Sequence, residues 1–149
     1  MATVTQESSG RRGQYGWHVH QTTYAQVVDN EATVRRPIFV APFNCELGEV
    51  ALINSTAVTG ANTNTVHFNL INGGAEGAGT TELATRDLVS GTNLAVGKTL
   101  LLDATSSGEV FLTAGDILEL ETEEIGNGIG ADINELVIYI AFRPANLAS

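Results

Sequence analysis

A chain of 149 residues suits one domain and can bury a real hydrophobic core. Apolar residues make up 43%, but charged residues reach only 16% where about 25% is usual, and Lys98 is the only lysine. The net charge of −10 argues against nucleic-acid binding and against docking on an anionic membrane.

The charge is uneven. Residues 1–16 carry Arg11 and Arg12 against Glu7, a net of +1, and the remaining chain carries five basic and sixteen acidic side chains, a net of −11. The first residues lack the apolar stretch of a signal peptide, and no run approaches the roughly 18–20 apolar residues of a membrane span. A soluble protein made in the cytoplasm is the expectation. Cys45 is the single cysteine, so no intrachain disulfide forms. It reads as a small buried hydrophobe, because no Cys/His pairing accompanies it.

Residues 1–16 are polar, Gly/Ser-rich and aperiodic, and read as a flexible N-terminal arm ahead of a domain over 17–149. Beyond them, short apolar segments alternate with Gly and Asn clusters. Strands are expected over 17–23, over 32–41 with Pro37 marking an edge position or a break, and over 50–57. Thr65 to Leu70 alternates strictly, with Val66, Phe68 and Leu70 on one face, and stops at the turn Asn72-Gly73-Gly74. Residues 80–88 fit a strand better than a two-turn helix. Residues 99–103 and 109–113 follow, and Ile117 to Glu121 alternates after the turn Ala114-Gly115-Asp116. Leu136 to Phe142 is apolar on both faces, which predicts a central strand or one whose outer face a partner covers. About eight short strands imply an all-β, antiparallel sandwich, with a jelly roll as the natural eight-stranded version.

Several stretches imitate catalytic motifs. Gly91 to Thr99 resembles a phosphate-binding P-loop, but five residues separate its glycines instead of four, and it runs into a strand-like segment where that motif needs a helix. His18 and His20 share one side of a strand and resemble the start of a cupin metal motif, with His67 as a third imidazole in principle. The carboxylate that should follow is replaced by Tyr24 or Ala25. Two ordinary strand histidines on a polar or interface face are the plain alternative. Glu119, Glu121, Glu123 and Glu124 read as an acidic, solvated edge and not as a glycosidase pair. Gly126-Asn127-Gly128-Ile129-Gly130 lacks a dinucleotide-binding context and reads as a mobile loop between the last two strands. No catalytic residue, metal site or cofactor is expected, and the chain is read as no enzyme.

Two segments carry a family resemblance: Val66 to Arg86, and Phe111 to Leu120 with the glycine loop and hydrophobic last strand that follow. Across roughly residues 60–145 the pattern resembles small tailed-bacteriophage capsid decoration proteins, also called cement or head-stabilising proteins. The resemblance implies a jelly-roll-like domain on the capsid exterior, often a homotrimer, that reinforces contacts between major capsid protein subunits. On that reading Arg11, Arg12, Tyr15, Trp17, Arg35 and Arg36 are the candidate capsid-binding residues, since Arg and large aromatics dominate interface energetics. Val137, Tyr139 and Ala141 are the candidate oligomer interface. A receptor- or carbohydrate-binding module of a phage spike or fibre is the alternative, and a cupin-like metal-dependent enzyme resting on His18 and His20 is the third reading.

Overall fold

A computed structural model describes residues 16–145. Ten strands form in chain order: β1 (His18–Val27), β2 (Val34–Val40), β3 (Cys45–Ile53), β4 (Thr65–Asn72), β5 (Thr81–Asp87), β6 (Leu100–Leu101), β7 (Asp103–Ala104), β8 (Val110–Leu112), β9 (Ile117–Ile125) and β10 (Ile133–Pro144). They pair antiparallel throughout, in two five-stranded sheets.

Sheet A runs β1-β10-β3-β6, with β8 also on β3, and sheet B runs β2-β9-β4-β5-β7. Each sheet thus interleaves early and late strands, because every step between successive strands except the β4–β5 hairpin crosses to the facing sheet. That order is a jelly roll. The short strands β6 and β8 are two pieces of one jelly-roll strand: Leu101 and Leu100 pair with Ala51 and Leu52, and Val110 to Leu112 pair with Leu47 to Cys45. Between them the chain leaves sheet A, and Asp103 and Ala104 pair with Thr85 and Ala84 at the margin of sheet B.

The alternation read in the sequence places the core. Leu136, Ile138 and Ile140 on β10 and Leu52 on β3 face Phe68 and Leu70 on β4 and Leu118 and Leu120 on β9, all fully buried. Burial of such aliphatic side chains stabilises the fold by about 1.5–3 kcal/mol apiece. Cys45 is fully buried among them, and its burial, with the nearby Asp116 carboxylate, pushes the thiol pKa up.

Pro37 lies in β2, an edge strand of sheet B, where the pairing with β9 shifts register between Pro37 and Phe39. Proline has no N–H for a ladder, so an edge with a bulge is where it fits. Strand β3 covers 45–53 instead of 50–57, because the chain turns away after Ile53 to lay Val58 against Leu94. The stretch expected over 80–88 is strand over Thr81–Asp87, and the P-loop look-alike is a loop feeding β6. At the turn after β8, Gly115 takes φ 91° in the third position while the Thr113 carbonyl accepts from the Asp116 N–H at 2.9 Å.

The two ends of the sandwich differ. At one end the segments after β2, β4 and β8 meet: Ala41 N–H donates to the Asp116 carbonyl at 2.9 Å, and Gly73 N–H to the Ile117 carbonyl at 2.8 Å. At the other end the loops after β1, β3, β5 and β9 meet. Gly130 N–H donates to Asp29 at 2.8 Å and Asn127 N–H to Asn64 at 3.0 Å. The glycine loop expected to be mobile is therefore pinned to two neighbouring loops. Glu124, at the end of β9, receives the Asn30 N–H at 2.9 Å. Burial raises its carboxyl pKa, the Asn30 N–H pulls it back down, and Asp29 adds to the rise.

Candidate interaction surface

The outer faces of the two sheets have opposite chemistry. On sheet B the register stacks polar side chains in rows. Arg35 of β2 pairs with Glu119 of β9. In the row of Glu121, from which Arg35 reaches diagonally to Glu119, Asn69 donates to Glu121 at 2.9 Å and receives the Thr85 hydroxyl at 2.7 Å. In the third, His67 Nδ1 lies 3.5 Å from Asp87 and 3.6 Å from Glu123. The glutamates read as an edge sit on a strand in the middle of the sheet: Glu119, Glu121 and Glu123 line this outer surface, whereas Glu124 has the opposite parity and is engaged by the Asn30 N–H. Cross-strand pairing at each row satisfies the polar groups, so even Asn69 is buried without loss.

On sheet A the outward positions are mainly apolar, with Gln21, Thr23, Glu46 and Arg143 among them. From Val137 onward the odd-numbered residues of β10 face out, since Leu136, Ile138 and Ile140 face in. Tyr139 stands in a row with Gln21 of β1, Ala51 of β3 and Leu101 of β6. Val137 stands beside Thr23 and Ile53. Ala141 stands beside Val19. The expected central position of β10 and the half-open outer face of Val137, Tyr139 and Ala141 are thus both present, because β10 is flanked by β1 and β3.

One end of this face is aromatic. Trp17 remains 46% exposed and Phe111 45% exposed, on either side of Arg143 and Glu46. The Arg143 guanidinium lies 4.5 Å from the Trp17 ring centroid and 2.8 Å from the Glu46 carboxylate, so its charge is compensated on the sheet. Gly48 lies beneath the indole, where a Cβ would come within 2.8 Å of Trp17 Cζ3 and 3.2 Å of the Ala141 carbonyl oxygen. Glycine here lets the ring lie flat on the strand. The other end is a groove of about 480 Å³ with Thr23, Ile53, Val96 and Val137 on its walls and Glu135 at its rim. Val96 is 57% exposed, and Glu135 holds a left-handed φ of 55°. Glu49 is exposed, in the stretch of β3 where the pairing with β10 shifts register.

The remaining site candidates fall elsewhere. His18 and His20 do share a side, but it is the inner one: His18 stacks on Phe142 at 5.3 Å and His20 lies 5.4 Å from Phe39. A polar or interface face is therefore the wrong setting for them. His67 is on the outer face of the opposite sheet, so the three imidazoles do not converge. Among the described residues no group of three or more His, Cys, Asp or Glu is placed to hold a metal ion. Arg36 donates to the Gln26 carbonyl at 3.1 Å and lies over the Tyr24 ring, so both Arg35 and Arg36 are engaged inside the domain. Arg11, Arg12 and Tyr15 lie outside the described residues.

No protein-family model and no curated protein matches the chain. Among solved structures it is similar to the VP2 subviral particle of infectious bursal disease virus, at 14% identity and a TM-score of 0.40, covering 84% of this chain and 32% of that one. A mutant VP2 of the same virus in derived T=1 particles gives 17% identity and a TM-score of 0.37, covering 93% and 33%. The chain spans about a third of the length of those proteins. The jelly-roll assignment rests on the strand order and not on these likenesses.

The surface missed by residue-by-residue reading was the aromatic end. Trp17 and Phe111 are far apart in sequence, and Gly48 carries no side chain to draw notice. The signal available was the outward parity of Trp17 and Val19 once His18 and His20 are turned inward.

Proposed function

We propose that the protein is a non-catalytic structural component of a virion: a decoration protein that sits on the outside of a phage capsid and stabilises contacts between major capsid subunits. The observation that carries this reading is the open apolar face of sheet A on a domain whose other outer face is polar and self-satisfied. A surface of that kind suits burial against protein. The motif look-alikes lead to no assembled chemistry: the P-loop stretch is a loop, the histidines are split between sheets, and the cysteine is buried with its pKa raised.

Attachment would work by linkage. A subunit that binds the assembled shell and not its separated parts stabilises the shell by mass action. Many copies on one particle multiply a modest single-site affinity. Arg11, Arg12 and Tyr15 supply the basic segment that reaches a capsid subunit, and Trp17 anchors it at the rim of sheet A.

The test is co-sedimentation with capsids of the encoding phage prepared without this protein. The full chain is expected to bind saturably and to raise the temperature at which the shells break. A chain lacking residues 1–16 is expected to bind at least tenfold more weakly while its thermal unfolding is unchanged. Full-strength binding by the truncated chain would remove the role given to that segment, and no binding by the full chain would overturn the proposal.

A further inference from the structure

We propose that the free edge of β1, over Val19 to Thr23, takes an extended, uncharged segment of a capsid subunit as an added strand of sheet A. The inference rests on the reading of the protein as a virion component and names how its partner is held.

Most margins of the two sheets are blunted. β2 carries Arg35, Arg36 and Pro37 with a register shift, and β6, β7 and β8 are stubs of two or three residues. β7 and Thr105 cover the middle of β5, whose ends carry Glu82, Arg86 and Asp87. Short, charged, bulged or proline-bearing strands are the usual protection against unwanted pairing. β1 has none of these over His18 to Tyr24. That stretch pairs one for one with Leu136 to Phe142 without a register shift, and Trp17 to Val28 contains no Asp, Glu, Lys, Arg, Pro or Gly. Among the described residues no strand pairs with its other side.

Register assigns the free groups. The Val50 carbonyl accepts from the Leu102 N–H at 2.9 Å, so Val50 turns its backbone away from β10. Val50 lies opposite Ile140, and Ile140 opposite His20. In an antiparallel ladder a residue directs its N–H and C=O to one side, and the side alternates along the strand. Ile140 and His20 therefore bond to each other, and Val19, Gln21 and Thr23 direct their N–H and C=O groups to the open side. The alternation breaks at Glu135, which holds φ 55°, and beyond it the Gln26 carbonyl turns outward to accept from Arg36 at 3.1 Å. Arg36 thus closes that end. What remains is a row of donors and acceptors repeating every second residue, about 7 Å apart. An extended backbone offers the matching row. Its side chains are constrained too. A charge set against Trp17 to Val28 would be desolvated without an ion pair, so the accepted segment is uncharged there. The inward side of the margin is aromatic: His18 stacks on Phe142 and meets Phe43 edge-on, and His20 lies on Phe39, with both imidazoles half-buried. Apolar residues at alternate positions of the segment cover these rings. Beyond Val27 stand Asp29, Glu31 and Asp132, which favour a basic residue where the segment leaves that end.

The experiment is amide hydrogen exchange on the full chain, free and bound to capsids of the encoding phage prepared without this protein, with Gln21→Pro and Gln21→Ala as variants. In the free protein the Val19, Gln21 and Thr23 amides are expected to exchange roughly a hundredfold faster than those of His20 and Thr22, which the ladder to β10 holds. On the shells those three amides are expected to slow by about tenfold or more as they gain partners. Gln21→Pro removes one outward N–H and no bond to β10, and is expected to weaken co-sedimentation about tenfold, because a partner carbonyl is left unsatisfied. Gln21→Ala keeps the N–H and is expected to bind as the wild type does. Far-UV circular dichroism and thermal unfolding check that the proline variant is folded; if it is not, protection of the three amides in the wild-type complex decides alone. Slow exchange of all three in the free protein shows the edge already covered and overturns the proposal. Fast exchange of the three in the complex, or full-strength binding by folded Gln21→Pro, overturns the added strand and leaves the virion reading standing. No binding of the wild type to shells overturns the virion reading and, with it, the donor named here.

Discussion

Gly48→Ala tests the construction of the aromatic end, and the single tryptophan of the chain makes it readable. The added Cβ would sit 2.8 Å from Trp17 Cζ3 and 3.2 Å from the Ala141 carbonyl oxygen. The first contact is with a half-exposed side chain that can swing outward. The second is with backbone inside a paired strand, which cannot. Swinging the ring forfeits the stack on Arg143, about 0.5–1 kcal/mol at an exposed site. Tight packing at the Ala141 carbonyl adds a cost at the low end of the 1–3 kcal/mol seen for overpacked sites. A total near 1–2 kcal/mol follows. With a urea slope of about 2 kcal/mol/M, the unfolding midpoint falls by roughly 0.5–1 M. Before any unfolding, the indole emission should move to longer wavelength and its anisotropy should drop, since the ring leaves the sheet. Arg143→Gln should give a similar change in anisotropy with a smaller loss of stability. An emission spectrum unchanged in Gly48→Ala would refute the placement of Trp17 over β3.

Glu124→Gln should leave the domain as stable or more stable at neutral pH, because the amide oxygen keeps the Asn30 N–H while the buried carboxylate charge is removed. The sign follows from the raised pKa: the folded state holds this proton more tightly than the unfolded chain, so the group's contribution is fully present below the ordinary glutamate range and is lost as pH rises through the raised value. The advantage of the Gln variant should accordingly shrink toward acid pH in urea titrations; an advantage that grows on acidification would contradict it. Cys45, buried with its pKa raised, should resist a soluble thiol reagent in the native protein at mild alkaline pH and react at the rate of global opening. Fast labelling without denaturant would show the site open. Gly60→Ala drives a Cβ into the carbonyl oxygens of Val89 and Thr92, both backbone, so it should cost about 3 kcal/mol or more. A thermal midpoint within a degree or two of wild type would show that these two loops are not packed as described.

Much of the fold was written in local pattern. Alternation at Val66, Phe68 and Leu70 and at Leu118 and Leu120 sorts inside from outside, because a strand's side chains have period two. The doubly apolar run over 136–142 marked a strand in mid-sheet with a second face to cover. Pro37 marked an edge because it lacks a donor. Strand limits were less legible where long-range pairing decides them: β3 begins at Cys45 because Leu112 lies opposite, and the strand expected over 99–103 breaks after Leu101 because Asp103 and Ala104 find partners on sheet B. The histidine pair shows the same limit. Spacing put His18 and His20 on one side, but only the docking of β1 beside β10 turned that side toward Phe39 and Phe142.

Composition and periodicity by themselves therefore determined an acidic all-β sandwich and many of its inward residues, since each depends on neighbours along one strand or on charge counted over the whole chain. Tertiary structure alone decided which glutamates find partners, that Arg35 and Arg36 are engaged within the domain, and that Trp17, Phe111, Tyr139 and Val137 share one open surface. Those residues come from different strands, and antiparallel register places them side by side only after both sheets have formed.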